Sequence, residues 1–348
     1  MTKTYDAFNA VDSPALNALP SKRLPALHKL DLTSIPSKHR QALHKQSNLF
    51  ARFVVGCIIA AAPRLCAAQA ADVPYVPTPP NVVEAMLDLA KVTANDFLID
   101  LGSGDGRIVI AAAKKYGARG LGVELDGALV SEARREAERQ GVGSRVEFRA
   151  ENLFITDIAR ATVITTYLFP SVNVELRPRI FAELKPGTRI VSHEFDFGNW
   201  QPDARITIAV PNKPYGAPQS DVMLWIVPAN AAGRWQWRMA LEGTAVVCEA
   251  TFEQTFQALR GTARVGGMPA EIREPRLRGN EIRFTLVAQL NGKAVRQEFV
   301  GRISADAMMG KTRSPRARSE AEWRAERIAY AEINIDAAAD AAALAYEP

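Results

Sequence analysis

The run Asp100-Leu-Gly-Ser-Gly-Asp-Gly106 decides the fold of this 348-residue chain. It follows a short apolar stretch, Phe97-Leu-Ile99, and precedes Arg107 to Tyr116, where Ile108, Ala111 and Ala112 fall on one stripe of a helix. Glycines at alternate positions, Gly102, Gly104 and Gly106, let the backbone turn tightly and approach a ligand without a Cβ in the way. The helix that follows offers unpaired amides. Dinucleotide-binding loops place their glycines differently, as Gly-x-Gly-x-x-Gly, on a similar frame. Here an acid stands two residues ahead of the first glycine, which suits a cationic, amine-bearing ligand better than a pyrophosphate. The alternative is a strand-capping aspartate in a tight turn that holds no ligand.

Outward from this loop, strand and helix signals alternate from Ala71 on, the pattern of a parallel sheet covered by helices on both faces. Gly120-Leu-Gly-Val-Glu124 reads as the second strand. It ends about twenty residues past the loop in a carboxylate able to accept both hydroxyl hydrogens of a ribose. Val146 to Ala150, Ala161 to Tyr167 and Arg189 to Ser192 read as the next three strands, and Arg205 to Val210 with Val222 to Val227 as an antiparallel closing pair. The expectation is an α/β domain with a doubly wound, seven-stranded, mostly parallel sheet over residues 73–229. Asn152 and Leu153, after the third strand, flank the place of a base; Asn152 either bonds its exocyclic amine or caps a turn. Leu168-Phe169-Pro170 lies at the carboxyl edge of the sheet, where ligands bind in such folds.

The series Pro74-Tyr-Val-Pro-Thr78, Asp100-Leu-Gly-Ser-Gly-Asp-Gly-Arg-Ile108, Gly122-Val-Glu124 and Phe169-Pro170 resembles the class I methyltransferases. Within them it is most similar to the protein-lysine methyltransferases of mitochondria and archaea, over Val73 to Gln201. The resemblance implies S-adenosylmethionine as cofactor and a lysine of a protein as acceptor. In animals that family modifies mitochondrial carriers and the membrane ring of ATP synthase. It further implies that Tyr75 and Thr78 close over the methionine end, that Asp100, Gly102 and Gly104 hold it, and that Glu124 takes the ribose. Ser103, Leu125, Asn152 and Leu153 complete the expected cofactor-binding set. Many relatives carry Asp where Asn152 stands, and an amide there can still bond adenine. For Tyr75 and its neighbouring prolines the plain alternative is a rigid extended linker.

Methyl transfer from a sulfonium is an in-line displacement that needs alignment more than acid–base chemistry. A lysine acceptor must first lose its proton, which a low-dielectric slot favours. The expected walls are Tyr167, Phe169 and Pro170 after the fourth strand and His193, Glu194 and Phe195 after the fifth. His193 is either a proton acceptor or a structural residue. Two other readings stand beside this one: a methyltransferase acting on a small molecule or lipid, and a non-catalytic exported binding protein on the same fold.

Charge and cysteine content narrow the field. Nine of the 43 basic residues and three of the 38 acids lie in Met1 to Ala70, so the remainder is balanced and offers no basic face for nucleic acid. Beyond that leader stand one cysteine, Cys248, and one histidine, His193, which rules out an internal disulfide there and leaves no Cys/His cluster, so no metal site is expected. Residues 1–72 read as a disordered leader with a signal-peptide-like segment over 49–70: Arg52, the apolar stretch Phe53 to Ala62, then Ala68-Gln-Ala70. Export or membrane association follows, in the periplasm if the source is bacterial. An uncleaved anchor, a buried helix and a true start near Leu49 are alternatives, as is a cytoplasmic enzyme, because the cofactor is made in the cytosol.

Beyond Gly233 come strand-like runs at Trp235 to Met239, Thr244 to Phe256, Glu281 to Leu290 and Ala294 to Ile303, with turns at Arg278-Gly-Asn280 and Asn291-Gly292. They indicate a small antiparallel β-domain over 230–330, half sandwich or partial barrel, with a tail over 331–348. Trp235, Trp237 and Trp323 form its core or an aromatic binding face. Lys311, Arg313, Arg316 and Arg318 read as a basic loop, and Ala337 to Tyr346 as a short helix. The oligomeric state is left open.

Overall fold

The computed structural model describes residues 75–336 apart from 214–215, 242–243, 291 and 315–319. The leader with its signal-like segment, Pro74, Asn291, Arg316, Arg318 and the Ala-rich tail lie outside the described residues. The chain divides into Met1–Asp72 and Val73–Pro348, and the second unit holds both folded parts.

The first part begins with α1 (Pro80–Leu89), then alternates β1 (Phe97–Leu101), α2 (Arg107–Tyr116), β2 (Arg119–Glu124), α3 (Gly127–Arg139) and β3 (Val146–Ala150). It continues through β4 (Val163–Thr166), α4 (Pro170–Glu183), β5 (Arg189–His193), β6 (Ala204–Ala209) and β7 (Gln219–Ile226). The sheet order is β3-β2-β1-β4-β5-β7-β6. The first five strands pair in parallel, while β7 runs antiparallel to both β5 and β6. The strand order reverses between β1 and β4, and their carboxyl ends therefore border the crevice in which such sheets bind ligands.

Alternation along β1 shows why the strand is buried on both sides. Leu98 packs with Val82, Met86 and Val109 of α1 and α2, whereas Ile99 and Leu101 point into the opposite core with Leu176 and Ile180 of α4. The expectation of helices on both faces holds on the first face and is only partly met on the second. No helix joins β3 to β4. That face is closed by α4 and by the aromatic group Phe197, Trp200, Trp225 and Phe256. The 151–158 connection keeps a fixed course because Arg179 of α4 donates to the carbonyls of Leu153 (3.0 Å) and Thr156 (2.6 Å) while pairing with Glu183.

The second part is a closed antiparallel barrel, ordered β10-β11-β12-β13-β14-β15-β8-β9. Its strands are β8 (Gly233–Leu241), β9 (Thr244–Thr255), β10 (Ala258–Val265), β11 (Met268–Arg278), β12 (Glu281–Leu290), β13 (Lys293–Ser304), β14 (Ala307–Arg313) and β15 (Ala321–Tyr330). This corrects the half sandwich or partial barrel, because β10, β11, β14 and β15 complete the circle. Pro269 and Pro275 interrupt the strand signal of β11, and the chain accommodates Pro275 at a bulge between Arg273 and Arg276. Closure leaves no unpaired sheet edge. Trp237, Phe284, Phe299 and Trp323 fill the barrel with ring centroids 4.8–6.2 Å apart. Trp235, Trp237 and Trp323 are all buried, so they are core and not a binding face. Lys311 and Arg313 belong to β14, not to a loop, and pair with Glu320 and Glu298.

A buried ion pair ties the amino end of the parallel strands together. Asp96 accepts from Thr162 Oγ1 (2.7 Å), from the Thr93 amide (2.7 Å) and from the Arg189 guanidinium, which also donates to the Ala90 carbonyl (2.8 Å). Burial opposes ionisation of Asp96, but the Thr162 and Thr93 hydrogen bonds and Arg189 outweigh it and hold its carboxyl below the usual range. Replacing Arg189 with Met leaves that carboxylate buried without its cation. The expected loss is about 3 kcal/mol of stability, read as a lower denaturant midpoint at unchanged slope. A loss under about 0.5 kcal/mol contradicts the assignment.

Candidate active site

The glycine turn is built against the strap that precedes α1. Gly102 and Ser103 both donate their amides to the Val123 carbonyl (2.9 and 2.8 Å), which folds the turn back onto β2. Gly104 has a φ of +52°, and a Cβ there would lie 2.4 Å from the Tyr75 ring. Only glycine admits the aromatic strap at this distance. Burial, helped by the nearby Asp105 carboxylate, raises the pKa of the Tyr75 hydroxyl against the pull of Arg107; Asp105 and Arg107 pair at 2.6 Å, and Arg107 Nη1 donates to the Thr78 carbonyl (2.9 Å). Residues 75–78 are thus tied to the loop by side chains of the loop itself, beyond what a rigid linker requires.

Two carboxylates flank this turn. Asp100 is 2% exposed, and its Oδ1 accepts from Thr165 Oγ1 of the adjacent strand at 2.7 Å. Burial pushes its carboxyl up to about 7, against the Thr165 bond, with the nearby charges of Glu124 and Asp105 acting in the same upward direction. A carboxylate so placed favours a ligand that carries positive charge. Glu124 closes β2 and spans the turn: Oε2 accepts from the Gly104 amide (3.0 Å), and Oε1 from the amides of Leu125 (2.8 Å) and Asp126 (3.1 Å). Ser103 is buried with its hydroxyl unpaired, and Leu125 is exposed.

Asn152 caps its own turn, Oδ1 accepting from the Phe154 amide at 2.9 Å. Its oxygen keeps a second lone pair, so both that acceptor and the NH2 donor remain able to meet a base. Leu153, half-buried, has its carbonyl held by Arg179. A cradle that Cβ atoms would fill, a buried acid and a second acid at the next strand end together fit an amino-acid nucleoside bearing a sulfonium. Among the described residues, no group of three or more His, Cys, Asp or Glu is placed to hold a metal ion.

The other wall is aromatic. Tyr167 lies 4.0 Å from the His193 ring and stacks on Phe195 at 5.9 Å; Phe169, 40% exposed, meets Phe195 at 5.8 Å. Pro170 is the first residue of α4, where its missing amide costs nothing, and there it sets the helix start. His193 is 1% exposed, with Nδ1 3.2 Å from Thr78 Oγ1 and Nε2 3.8 Å from the Glu194 carboxylate. Burial pulls its pKa down to about 4, against the pull of Glu194 and with that of Lys213. The imidazole is therefore neutral at physiological pH and is a weak base, suited to accepting a hydrogen bond rather than storing a proton.

Thr78, assigned from sequence to the methionine end, contacts the acceptor-side histidine, and so the strap touches both halves of the site. Glu194 has a φ of +65°, held by its amide on the Asp221 carbonyl (2.8 Å) and by Lys213. Such strain in a non-glycine residue concentrates at working sites. Two residues escaped sequence reading. Thr165 is found only from strand register. Asn173, fully buried, donates to the carbonyls of Leu168, Phe195 and Asp196 and so joins the two wall segments. Its one signal is an amide on the apolar stripe of α4.

Comparison with known proteins places this geometry. The family model of the ANTKMT methyltransferase domain matches residues 100–204. A protein-lysine N-methyltransferase of Saccharolobus islandicus is 47% identical over 137 residues, which is 39% of this chain and 85% of that one. The ATP synthase C-subunit lysine N-methyltransferase of Xenopus laevis is 35% identical over 37% of this chain and 57% of its own length. The mouse adenine nucleotide translocase lysine N-methyltransferase is 37% identical over 38% and 58%. The chain thus spans less than three fifths of these two animal relatives. Among solved structures, an RNA methyltransferase of Salinibacter ruber in complex with S-adenosyl-L-homocysteine is 51% identical, covering 43% of this chain and 93% of that one, with a TM-score of 0.40.

Because the ionised Asp100 is the form that attracts an amine, affinity for S-adenosylhomocysteine should fall as pH drops through 7. A ligand-free pKa of about 7 corresponds to about a tenfold loss between pH 8 and pH 6. Calorimetry on the Asp100→Asn variant should give a weaker and nearly pH-independent affinity; a pH slope equal to that of the unsubstituted protein excludes Asp100 as its source.

Proposed function

We infer, for a chain that belongs to the S-adenosylmethionine-dependent protein-lysine N-methyltransferase family, that the sheet edge between Asp100 and His193 methylates a lysine of a membrane-associated protein. The observation that carries the reading is the pairing of a cation-seeking acid, Asp100, with a neutral aromatic slot formed by Tyr167, Phe169, Phe195 and His193. Bound S-adenosylmethionine would supply a methyl activated on a sulfonium, open to in-line attack by a neutral lysine nitrogen as the S–CH3 bond breaks and S-adenosylhomocysteine leaves.

The residues of this chain divide the work. Asp100 holds the amino group of the cofactor, and Glu124 takes the ribose hydroxyls in place of the backbone amides it now binds. Tyr75, seated on Gly104, covers the methionine end, and Leu125, Asn152 and Leu153 border the base. Aromatic faces at Phe169 and Phe195 receive the lysine stem and attract its ammonium. Desolvation between them lowers the ammonium pKa and promotes loss of its proton to water. Neutral His193 adds no repulsive charge, and its Nε2 can orient the free amine. The expected catalytic gain is mainly alignment.

The membrane association of the acceptor draws support from two relatives, whose names specify the ATP synthase C-subunit and the adenine nucleotide translocase. The apolar stretch Phe53 to Ala62 supports an address at or beyond a membrane. Fractionation with amino-terminal sequencing checks that address; an intact leader on a cytosolic protein overturns it.

Incubating the full chain with methyl-labelled S-adenosylmethionine and a membrane extract should put label into protease-sensitive material that yields methyl-lysine on hydrolysis. Label that survives protease and moves with lipid would replace the lysine reading with a lipid acceptor. Glu124→Ala should weaken S-adenosylhomocysteine binding by about 2 kcal/mol, roughly thirtyfold, without changing the far-ultraviolet dichroism. Unchanged affinity removes Glu124 from the ribose contact.

A further inference from the structure

The barrel touches the catalytic part at a place that matters for the acceptor. The turn joining β9 to β10, Phe256-Gln257, projects onto the segment after β5. Gln257 Oε1 accepts from Trp200 Nε1 at 2.8 Å, and its Nε2 donates to the Gln201 carbonyl at 2.7 Å. The Phe256 ring stacks on Trp200 with centroids 5.9 Å apart and planes 11° from parallel. Arg177 of α4 lies over Phe256 at 5.5 Å and donates to the Phe197 carbonyl. Trp225 Nε1 donates to the Trp200 carbonyl at 2.8 Å.

The turn itself is held firmly. Phe256 is 4% exposed and has a φ of +50°, a left-handed conformation unfavourable to an aromatic residue. Two bonds from the barrel side stabilise it: buried Gln254 donates to the Phe256 carbonyl (2.7 Å), and the Phe256 amide donates to the Asn334 carbonyl (3.2 Å). Segment 193–201 is therefore fixed at two ends. The sheet holds His193 through β5, and the barrel holds Trp200 and Gln201. Between these anchors lie the half-buried Glu194 and Phe195 of the acceptor wall, with Asn173 gripping the carbonyls of Phe195 and Asp196.

We propose that Phe256 and Gln257 are positioning residues for the acceptor, so that the barrel sets where Phe195 and Glu194 stand through Trp200 and Gln201. The proposal rests on the lysine-acceptor reading above for its catalytic consequence, but not for its structural one. It separates the two halves of the site: the cofactor half hangs on β1, β2 and the strap, with no part in this contact. An outer anchor displaced by about 1 Å suffices to misalign an in-line attack.

Gln257 is half-buried, and Gln257→Ala removes both of its bonds while leaving the barrel core intact. In the full chain, amide hydrogen exchange at 194–201 should quicken about tenfold, while exchange at 100–106 and calorimetric affinity for S-adenosylhomocysteine stay within about twofold. Methyl transfer into membrane-extract protein should fall about tenfold or more, and Gln257→Glu, which keeps an acceptor for Trp200 Nε1, should regain part of it. Should Gln257→Ala not fold, Phe256→Leu, which removes the stack at similar volume, carries the same expectations. Unchanged exchange at 194–201 overturns the proposal, as does labelling within about twofold of the unsubstituted protein or cofactor affinity that falls in step with labelling. An unsubstituted protein that binds S-adenosylhomocysteine yet labels no protein overturns the lysine reading instead, and the exchange measurement still decides whether the turn holds the loop.

Discussion

Asp100 is a carboxylate in a place that disfavours its charge, and much of the cofactor half is arranged around that conflict. It lies at the carboxyl end of β1, beside the point where strand order reverses, sealed by the sheet and given one hydroxyl, that of Thr165. Burial there pushes its pKa up to about 7, so a neighbouring positive charge favours its ionised form. The glycine turn and the Tyr75 strap, seated on Gly104, border this carboxylate.

The proposed acceptor half faces the opposite problem. A lysine must arrive as a cation and react as a neutral amine. Aromatic faces attract the ammonium, and their low polarity favours its neutral form. Keeping His193 uncharged serves the same end, since an imidazolium would repel the incoming ammonium. Thr78 touches His193 while its carbonyl is held by Arg107, so the strap beside the glycine turn also meets the aromatic wall.

The barrel resolves the sheet-edge problem of eight strands by closure and packs its interior with rings, which leaves its one close engagement with the site, among the described residues, at the Phe256-Gln257 turn. Aromatic stacking and two amide hydrogen bonds are short-ranged and directional, the properties needed to hold a loop rather than merely to attach a domain.

Much of the fold was legible because local patterns carried it. The glycine turn between an apolar triplet and an amphipathic helix, the β-branched strands, and acids at strand ends are features of consecutive residues, and the strand at Val146–Ala150 and the helix at Arg107–Tyr116 appear where their patterns place them. The barrel was half legible: proline and alternating charge masked β11, while β10, β14 and β15 become strands only by pairing across the closed circle. Site assignments made from single residues were the least complete. For Thr78 and His193, the hydrogen bond between them and the burial of the imidazole come from segments far apart in sequence. Sequence by itself determined the strand-turn-helix cradle and the two carboxylates, because these depend on neighbours within a few residues. Tertiary structure alone decided that Asp100 is desolvated, that burial lowers the pKa of His193, that Asn173 joins the two walls and that a barrel turn packs on Trp200 and Gln201, because burial and contact between distant segments exist only after the chain has folded.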